Sequence, residues 1–258
     1  MRTPHLLLAL LVVLGACGDD AAPSQPSART LFGPTIRRVV LEVDYVRGAE
    51  PYTDMSAWEL FTANANRLFQ GAGKTFEVPT ALGQMEAITE AGTEFTTAQL
   101  LAVADAHRQR RSAGDTATFY LVWLNGYYHD GTRRRTDVLG VSLGTTGIIA
   151  VFKPVVTATA QGSLPYVARF LEQSTIIHEF GHAVGLVNNG VPPASAHHDS
   201  AHGAHCTNEA CVMNHSNEGA AAARMFALRY MSTRNPVLFD QACLDDAAAM
   251  VATARSAP

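Results

Sequence analysis

A short apolar segment that carries two histidines and a glutamate constrains this chain more than any other feature. Residues 175–187 read TIIHEFGHAVGLV and place His178, Glu179 and His182 in the pattern HExxH. Residues four apart share one face of a helix, so both imidazoles can bind one metal ion while the glutamate reaches a metal-bound water. Gly185 follows where a helix that ends in a sharp turn needs a residue tolerant of positive φ. The pattern predicts a catalytic zinc site with Glu179 as general base.

The apolar neighbours of this motif disfavour its ordinary alternative, a surface helix with two solvated histidines. Ile176, Ile177 and Phe180 flank the ionisable residues, so most of the helix is expected to be buried. Buried imidazoles and carboxylates need partners, and a metal ion supplies them.

The composition of the chain fits a folded domain and argues against one class of partner. The 258 residues are 47% hydrophobic and 16% charged, which is enough to bury a sizeable core. The net charge of −4 argues against a nucleic-acid-binding protein. Half of the ten histidines follow the HExxH segment closely, as expected around a metal site: His197, His198, His202, His205 and His215.

The first residues are expected to direct export rather than to fold. A positively charged start precedes an apolar run at 6–14 that is too short to span a bilayer. Residues 14–17, LGAC, resemble the lipobox of bacterial lipoproteins, which implies a signal peptide at residues 1–16, cleavage before Cys17 and lipidation of its thiol. An ordinary secretory signal is the alternative. Residues 17–33 then read as the lipidated cysteine and a flexible tether, which would hold the protein at a membrane, on the periplasmic face or the cell surface.

Runs of β-branched and aromatic residues alternate with helical periodicity in the first part of the chain, which predicts an α/β fold. We expect one domain at 34–254. Its N-terminal half, 34–187, should hold a mixed and mostly parallel sheet with the HExxH helix beneath it, and its smaller C-terminal half, 188–254, should consist of helices and loops. The strand predicted at 147–152 is a candidate edge on which a peptide substrate could pair.

A catalytic zinc site needs a third protein ligand. The residues that could supply this ligand resemble those of a known family. Metzincin metallopeptidases continue the motif as HExxHxxGxxH, and the last histidine of that pattern falls on Asn188, a poor zinc ligand. Residues 205–213, HCTNEACVM, resemble the archaemetzincin branch, whose signature reads HCx4CxM. This resemblance implies a metzincin-like α+β fold with an inserted loop, His205 as the third ligand, and Met213 under the metal. Other donors of the inserted loop remain alternatives on the residues alone: His197, His198, Asp199 and His202.

Archaemetzincins also hold a structural zinc on four cysteines, and the resemblance extends to part of that set. Cys206 and Cys211 match the first pair, whereas the later CxxC pair reads Asp240-Gln-Ala-Cys243. A site with three thiolates and one carboxylate is chemically possible for zinc. The alternative is a disulfide between Cys206 and Cys211, which an exported location favours and which would leave Cys243 alone.

The N-terminal segment, the HExxH pattern and the archaemetzincin resemblance together predict an exported, lipid-anchored zinc metallopeptidase. It would hydrolyse a peptide or protein substrate with a zinc-activated water and Glu179 as general base, and we expect a monomer that binds no nucleic acid. The alternative is a non-catalytic, metal-binding surface lipoprotein with a metzincin-derived fold, because the histidine-rich residues 196–205 can bind metal loosely. A hydrolase of a non-peptide amide is a third option.

Overall fold

Two long apolar strands at the centre of a six-stranded sheet organise the fold. The structure, a computed structural model, describes residues 25–233 and 235–256. The strands are β1 (Arg38–Val46), β2 (Thr75–Glu77), β3 (Glu86–Ile88), β4 (Glu94–Phe95), β5 (Thr116–Leu124), β6 (Tyr127–His129), β7 (Arg134–Arg135), β8 (Gly140–Ser142) and β9 (Ile148–Phe152). The helices are α1 (Ala28–Phe32), α2 (Ala57–Leu68), α3 (Thr97–His107), α4 (Lys153–Ala160), α5 (Pro165–Ala183), α6 (Ala220–Thr233) and α7 (Gln241–Arg255).

The large sheet is mixed and mostly parallel, as the sequence predicts. Its order is β2-β1-β5-β9-β8, and β3 also pairs with β1. Strands β1, β5 and β9 run parallel, whereas β8 is antiparallel to β9. All residues of β5 after the first are buried, because a strand inside a parallel sheet is covered on both faces. The predicted α/β class is therefore confirmed.

The edge of this sheet nearest the HExxH helix is β8, not β9. The prediction that residues 147–152 form the edge is wrong, since β9 pairs with β5 on one side and with β8 on the other. A turn at Gly144–Thr146 joins β8 and β9 as an antiparallel pair, so β8 covers β9. The far side of β8 has no strand partner in the part of the chain that the structure describes. Strand β8 also contacts helix α5, which carries the motif.

Helix α5 is buried over most of its length and is held in place by aromatic packing. It contacts β8, β9, α2 and α4. The Phe180 ring centre lies 5.1 Å from that of Phe61 and 5.0 Å from that of Phe119. Edge-to-face pairs of this kind fix the rotation of the helix about its axis. Gly185 has a φ of 95°, so the turn predicted at this glycine is confirmed.

A buried ion pair joins α4 to α5 before the motif begins. The Lys153 Nζ donates to Glu172 Oε2 at 2.6 Å, and the Tyr52 backbone N–H donates to Glu172 Oε1 at 2.7 Å. Burial raises the pKa of Glu172 and lowers the pKa of Lys153. Neither charge is stable there without the other, so the pair fixes how the two helices meet.

Replacing Lys153 by methionine is expected to lower the free energy of unfolding by about 3–5 kcal/mol, because Glu172 would be left as an uncompensated buried charge. Urea denaturation measures this loss. The matched control is the double variant Lys153→Met/Glu172→Gln, which should recover most of the stability because the amide carries no charge to desolvate. A loss that persists in the double variant would mean that packing of the lysine stem, not its charge, joins the helices.

The chain is packed against the domain from its first described residues. Helix α1 buries Leu31 and Phe32 and contacts helix α7, and the Phe32 ring stacks on Phe69 with centres 4.4 Å apart. The prediction of a tether at residues 17–33 is therefore wrong for residues 25–33. Two large apolar side chains of this segment belong to the core, although small residues surround them in the sequence. The signal peptide predicted at 1–16 and the lipidation predicted at Cys17 lie outside the described residues. Among the helices described, none is both long and apolar enough to cross a bilayer.

Candidate metal centre

Three histidines from two separate segments converge near the end of helix α5. The Nε2 atoms of His178 and His182 lie 3.0 Å apart, as the four-residue spacing on one helix face allows. The His205 ring centre lies 5.4 Å from that of His178 and 4.8 Å from that of His182. The ligand atoms of all three lie within 4.8 Å of one another. Nitrogens at this spacing can surround a zinc ion, whose bonds to histidine are about 2.0–2.1 Å.

The structure brings His205, and no other donor of the inserted loop, into this group. His197 belongs to a second group of metal-binding side chains, and Asp199 and His202 belong to a third. The ring of His198 bonds instead to a backbone carbonyl of its own loop. The position of His205 follows from the turn that carries it, since the Asp199 N–H donates to the His205 carbonyl oxygen at 2.7 Å.

Backbone carbonyls orient two of the three imidazoles. The Nδ1 of His178 lies 2.6 Å from the Val212 carbonyl oxygen, and the Nδ1 of His205 lies 2.6 Å from that of His202. A carbonyl only accepts, so each Nδ1 carries the proton and each Nε2 keeps its lone pair for a metal. The His205 Nε2 is buried, and burial lowers the pKa of His178 to about 4. Imidazoles that bring their ring nitrogens together in this way fit the zinc ion that HExxH implies.

Met213 packs against the HExxH helix at its glycine. The methionine is fully buried, and its sulfur occupies the space that a Cβ on Gly181 would need. Glycine at 181 is thus required for this close approach. The Cys206 N–H donates to the Met213 carbonyl oxygen at 2.8 Å, which ties the methionine segment to the residue after His205.

Glu179 is buried beside the edge strand β8. The absence of a side chain on Gly140 makes room for it, because a Cβ there would lie 3.2 Å from the Glu179 Cγ and 2.7 Å from the Thr175 Cγ2. Burial raises the pKa of Glu179 to about 8, and the backbone N–H of Ser142 opposes that shift. A divalent cation at the histidines would lower the pKa again. A buried carboxylate whose pKa responds to a cation at neighbouring metal ligands is suited to act as a general base.

A cleft of about 610 Å³ opens over the three histidines and Glu179. Strand β8 and residues 215–219, which follow Met213, both line this cleft. A free strand edge along a cleft can pair with an extended peptide. The cleft therefore has a strand edge along which an extended chain could lie.

Three cysteines and a histidine form a second group of donors. The His197 Nδ1 lies 3.4 Å from the Cys206 Sγ and 4.0 Å from the Cys243 Sγ, and the Cys211 Sγ lies 3.5 Å from the Cys243 Sγ. All three cysteines are buried free thiols, so the alternative of a Cys206–Cys211 disulfide does not occur in the structure. Hydrogen bonding from Cys211 and Cys243 lowers the pKa of Cys206. Thiols and an imidazole in this number are the donor set of a closed structural zinc site.

Asp240 shares one metal-binding group with His197, Cys206 and Cys243, and its Oδ2 lies 3.5 Å from the Cys206 Sγ, so both His197 and Asp240 can act as the fourth donor. Their other contacts favour His197. Asp240 caps helix α7, since its Oδ1 accepts from the Cys243 N–H at 2.9 Å and its Oδ2 accepts from an asparagine amide at 2.9 Å. The His197 Nε2 instead lies 2.7 Å from an oxygen of the fully buried Asp246, which aims the Nδ1 at the thiols. Sequence analysis named Asp240 for this site but named His197 only as an alternative ligand of the catalytic zinc, and it missed Asp246, because the histidine and the carboxylate meet only through the fold.

No protein-family model and no curated protein matches this sequence. Solved structures similar to this fold include an archaemetzincin from Methanopyrus kandleri, with a TM-score of 0.49 and 13% identity over 84% of this chain and 96% of that chain. They also include a zinc-dependent peptidase from Methanocorpusculum labreanum (strain Z), with a TM-score of 0.45 and 11% identity over 72% of this chain and 99% of that chain. Function therefore has to be inferred from the side chains of the site.

Glu218 lies against the three histidines although no sequence motif points to it. Its Oε1 is 3.1 Å from the His205 Nε2, and it shares the metal-binding group of His178, His182 and His205. The glutamate side chain is 51% exposed, so it can also turn into solvent. With Glu218 bound, the centre would have four protein ligands, as structural zinc sites do; with Glu218 withdrawn, a fourth position is open to water.

Proposed function

We propose that this protein is a zinc-dependent peptidase. The observation that carries the proposal is a buried set of three imidazole nitrogens beside a buried glutamate, opening on a cleft with a free strand edge. His178, His182 and His205 would hold the zinc, which when bound acidifies a coordinated water and polarises a carbonyl. A purely structural site needs no buried carboxylate beside its ligands, which disfavours the non-catalytic alternative.

Residues of the chain itself would position the substrate and transfer the proton. An extended peptide would pair with the free side of β8, which runs past Glu179 and the histidines. Glu179 would take a proton from the attacking water and return it to the leaving amine. Close packing against Gly140 and Thr175 holds the Glu179 stem in one place, so the carboxylate is positioned before the substrate arrives.

A second, structural zinc on Cys206, Cys211, Cys243 and His197 is part of the same proposal. Cys206 directly follows His205, and Cys243 lies in the first turn of helix α7. An ion that joins them would fix the third catalytic ligand to the C-terminal helix. The site would therefore support catalysis by positioning His205, although it is closed to substrate.

The N-terminal pattern supports a further part of the proposal, that the protein is exported and anchored through a lipid on Cys17. We also propose that it is active as a monomer. The intact mass of the protein from membranes of an expressing bacterium should include the acyl chains, and Cys17→Ala should release the protein from those membranes. An unmodified Cys17 in the mature protein would rule out the anchor.

Replacing Glu218 by alanine is expected to leave the zinc content of the three-histidine site intact and to lower kcat/KM by less than about tenfold, a loss below about 1.4 kcal/mol. The reason is that catalysis needs an open coordination position, which a half-exposed glutamate can vacate. Metal analysis and peptide cleavage are measured on the same preparation. Loss of zinc in Glu218→Ala would make this residue a permanent ligand and would favour the non-catalytic alternative.

The proposed function is tested with a library of unstructured peptides. The zinc-loaded protein should cleave peptide bonds, the chelated protein should not, and added zinc should restore cleavage. His205→Ala should lose both one zinc and the cleavage. A fully zinc-loaded wild-type protein that cleaves no peptide would overturn the proposal, and cleavage confined to non-peptide amides would favour the third option.

A further inference from the structure

A third group of donors lies at the rim of the cleft, outside the two sites described above. This rim cluster consists of Asp199, His202 and His215, whose ligand atoms lie within 4.8 Å of one another. We propose that the rim cluster is a cation site for a borderline divalent ion such as Zn²⁺ or Ni²⁺, and that an ion there joins the inserted loop to the segment after Met213. This site does not depend on whether the protein is a peptidase.

Both imidazoles of the rim cluster turn the same ring nitrogen toward one carboxylate oxygen. The His202 Nδ1 lies 2.8 Å from the Asp199 Oδ2, and the His215 Nδ1 lies 3.5 Å from the same oxygen. The His215 Nδ1 is buried and has no hydrogen-bond partner among the described residues. A buried imidazole nitrogen without a partner is unfavourable, and a shared cation would satisfy it together with the other two donors.

The donor set selects the class of ion. Two imidazoles and one carboxylate suit zinc, nickel and copper, whereas magnesium and calcium prefer sites made of oxygen alone. The two rings are stacked, with centres 3.7 Å apart and planes 3° from parallel. An ion bound by both nitrogens requires one ring to turn out of the stack, because the lone pair of each nitrogen lies in its ring plane; the His202 side chain is 49% exposed and has room to turn.

Backbone hydrogen bonds close the loop that carries Asp199 and His202. The Asp199 N–H donates to the His205 carbonyl oxygen at 2.7 Å, and the His202 N–H donates to the Asp199 carbonyl oxygen at 3.0 Å. The third donor, His215, begins the turn His215–Glu218, which lines the cleft. An ion at the rim cluster would therefore link the turn that presents His205 to the segment that presents Glu218.

Metal titration of the purified full chain, free of a histidine tag, tests the site. The protein is first loaded with zinc and passed over a weak chelator, and Ni²⁺ is then added in a calorimeter. Wild type should take up one equivalent more than His202→Ala and Asp199→Asn. His198→Ala is the matched control, because His198 lies in the same histidine-rich loop but outside the cluster, and it should take up the same amount as wild type.

Two results would overturn the site. Equal uptake by wild type, His202→Ala and Asp199→Asn would mean that the rim cluster is only hydrogen-bonded. Equal losses in His198→Ala and His202→Ala would mean loose binding by the whole histidine-rich loop. The zinc content retained after the chelator step reports whether each variant is folded, because the histidine and cysteine sites keep their ions only in the folded chain. A variant that loses this zinc is replaced by His215→Ala in the same titration.

Discussion

Replacing Glu179 by glutamine should lower kcat/KM for peptide cleavage by about 10²–10⁴-fold while the zinc stays bound. The amide has the same shape as the carboxylate but cannot accept the proton of the attacking water. Glu179 is not one of the side chains that converge as metal ligands, so its replacement leaves all three imidazoles in place. Cleavage rate and zinc content are measured on one preparation.

The stability of this variant separates a chemical role from a structural one. Because burial raises the pKa of Glu179 to about 8, its ionised form destabilises the metal-free fold at pH values above its pKa in the unfolded chain. A neutral glutamine removes that cost, so the metal-free variant should unfold at a temperature no lower than wild type. Glu59→Gln, an exposed position on α2, serves as the control with unchanged activity. Cleavage by Glu179→Gln within tenfold of wild type would exclude Glu179 as the general base.

Replacing His197 by alanine is expected to remove one zinc and a large part of the stability of the protein. Closed zinc sites contribute on the order of 10 kcal/mol to the folding of small zinc-binding domains. His197 is aimed at Cys206 and Cys243 by its bond to the buried Asp246, so its loss opens the site. The thermal unfolding temperature and the zinc content should both fall, and cleavage should fall with them because Cys206 adjoins His205.

Asp240→Asn is the matched variant for this second site. Asparagine caps a helix as well as aspartate does, so the bond to the Cys243 N–H is kept while the charge is lost. We expect zinc content and unfolding temperature close to wild type. Loss of one zinc in Asp240→Asn, with zinc retained in His197→Ala, would make the aspartate the ligand and would reverse the assignment.

The sequence predicted those parts of the fold and site that depend on local pattern. Strands β1 and β5, which their β-branched and aromatic residues predict at 37–46 and 116–125, lie within one residue of those ends in the structure. His178, Glu179 and His182 are fixed relative to one another by helical spacing alone. His205 could be chosen among five donors only through a resemblance, because its approach depends on how the inserted loop folds back.

The sequence did not predict, or predicted wrongly, the features that depend on tertiary contacts. Whether β9 is an edge depends on β8 pairing with it, which a run of apolar residues does not reveal. Glu218 contacts His205, and His197 contacts Asp246. The residues of each pair lie too far apart in the sequence for helix or strand periodicity to predict the contact. Leu31 and Phe32 lie in the predicted tether, yet they are buried in a helix that packs against helix α7.

The most direct test of the central proposal is the position of zinc in crystals of the zinc-loaded protein, from anomalous differences on either side of the zinc absorption edge. We expect a peak about 2.0–2.1 Å from the Nε2 atoms of His178, His182 and His205, with the Glu179 carboxylate near it but not bound. A second peak is expected among the three cysteines and His197. Zinc bound at other histidines, or no peak between His178 and His182, would contradict the proposed catalytic site.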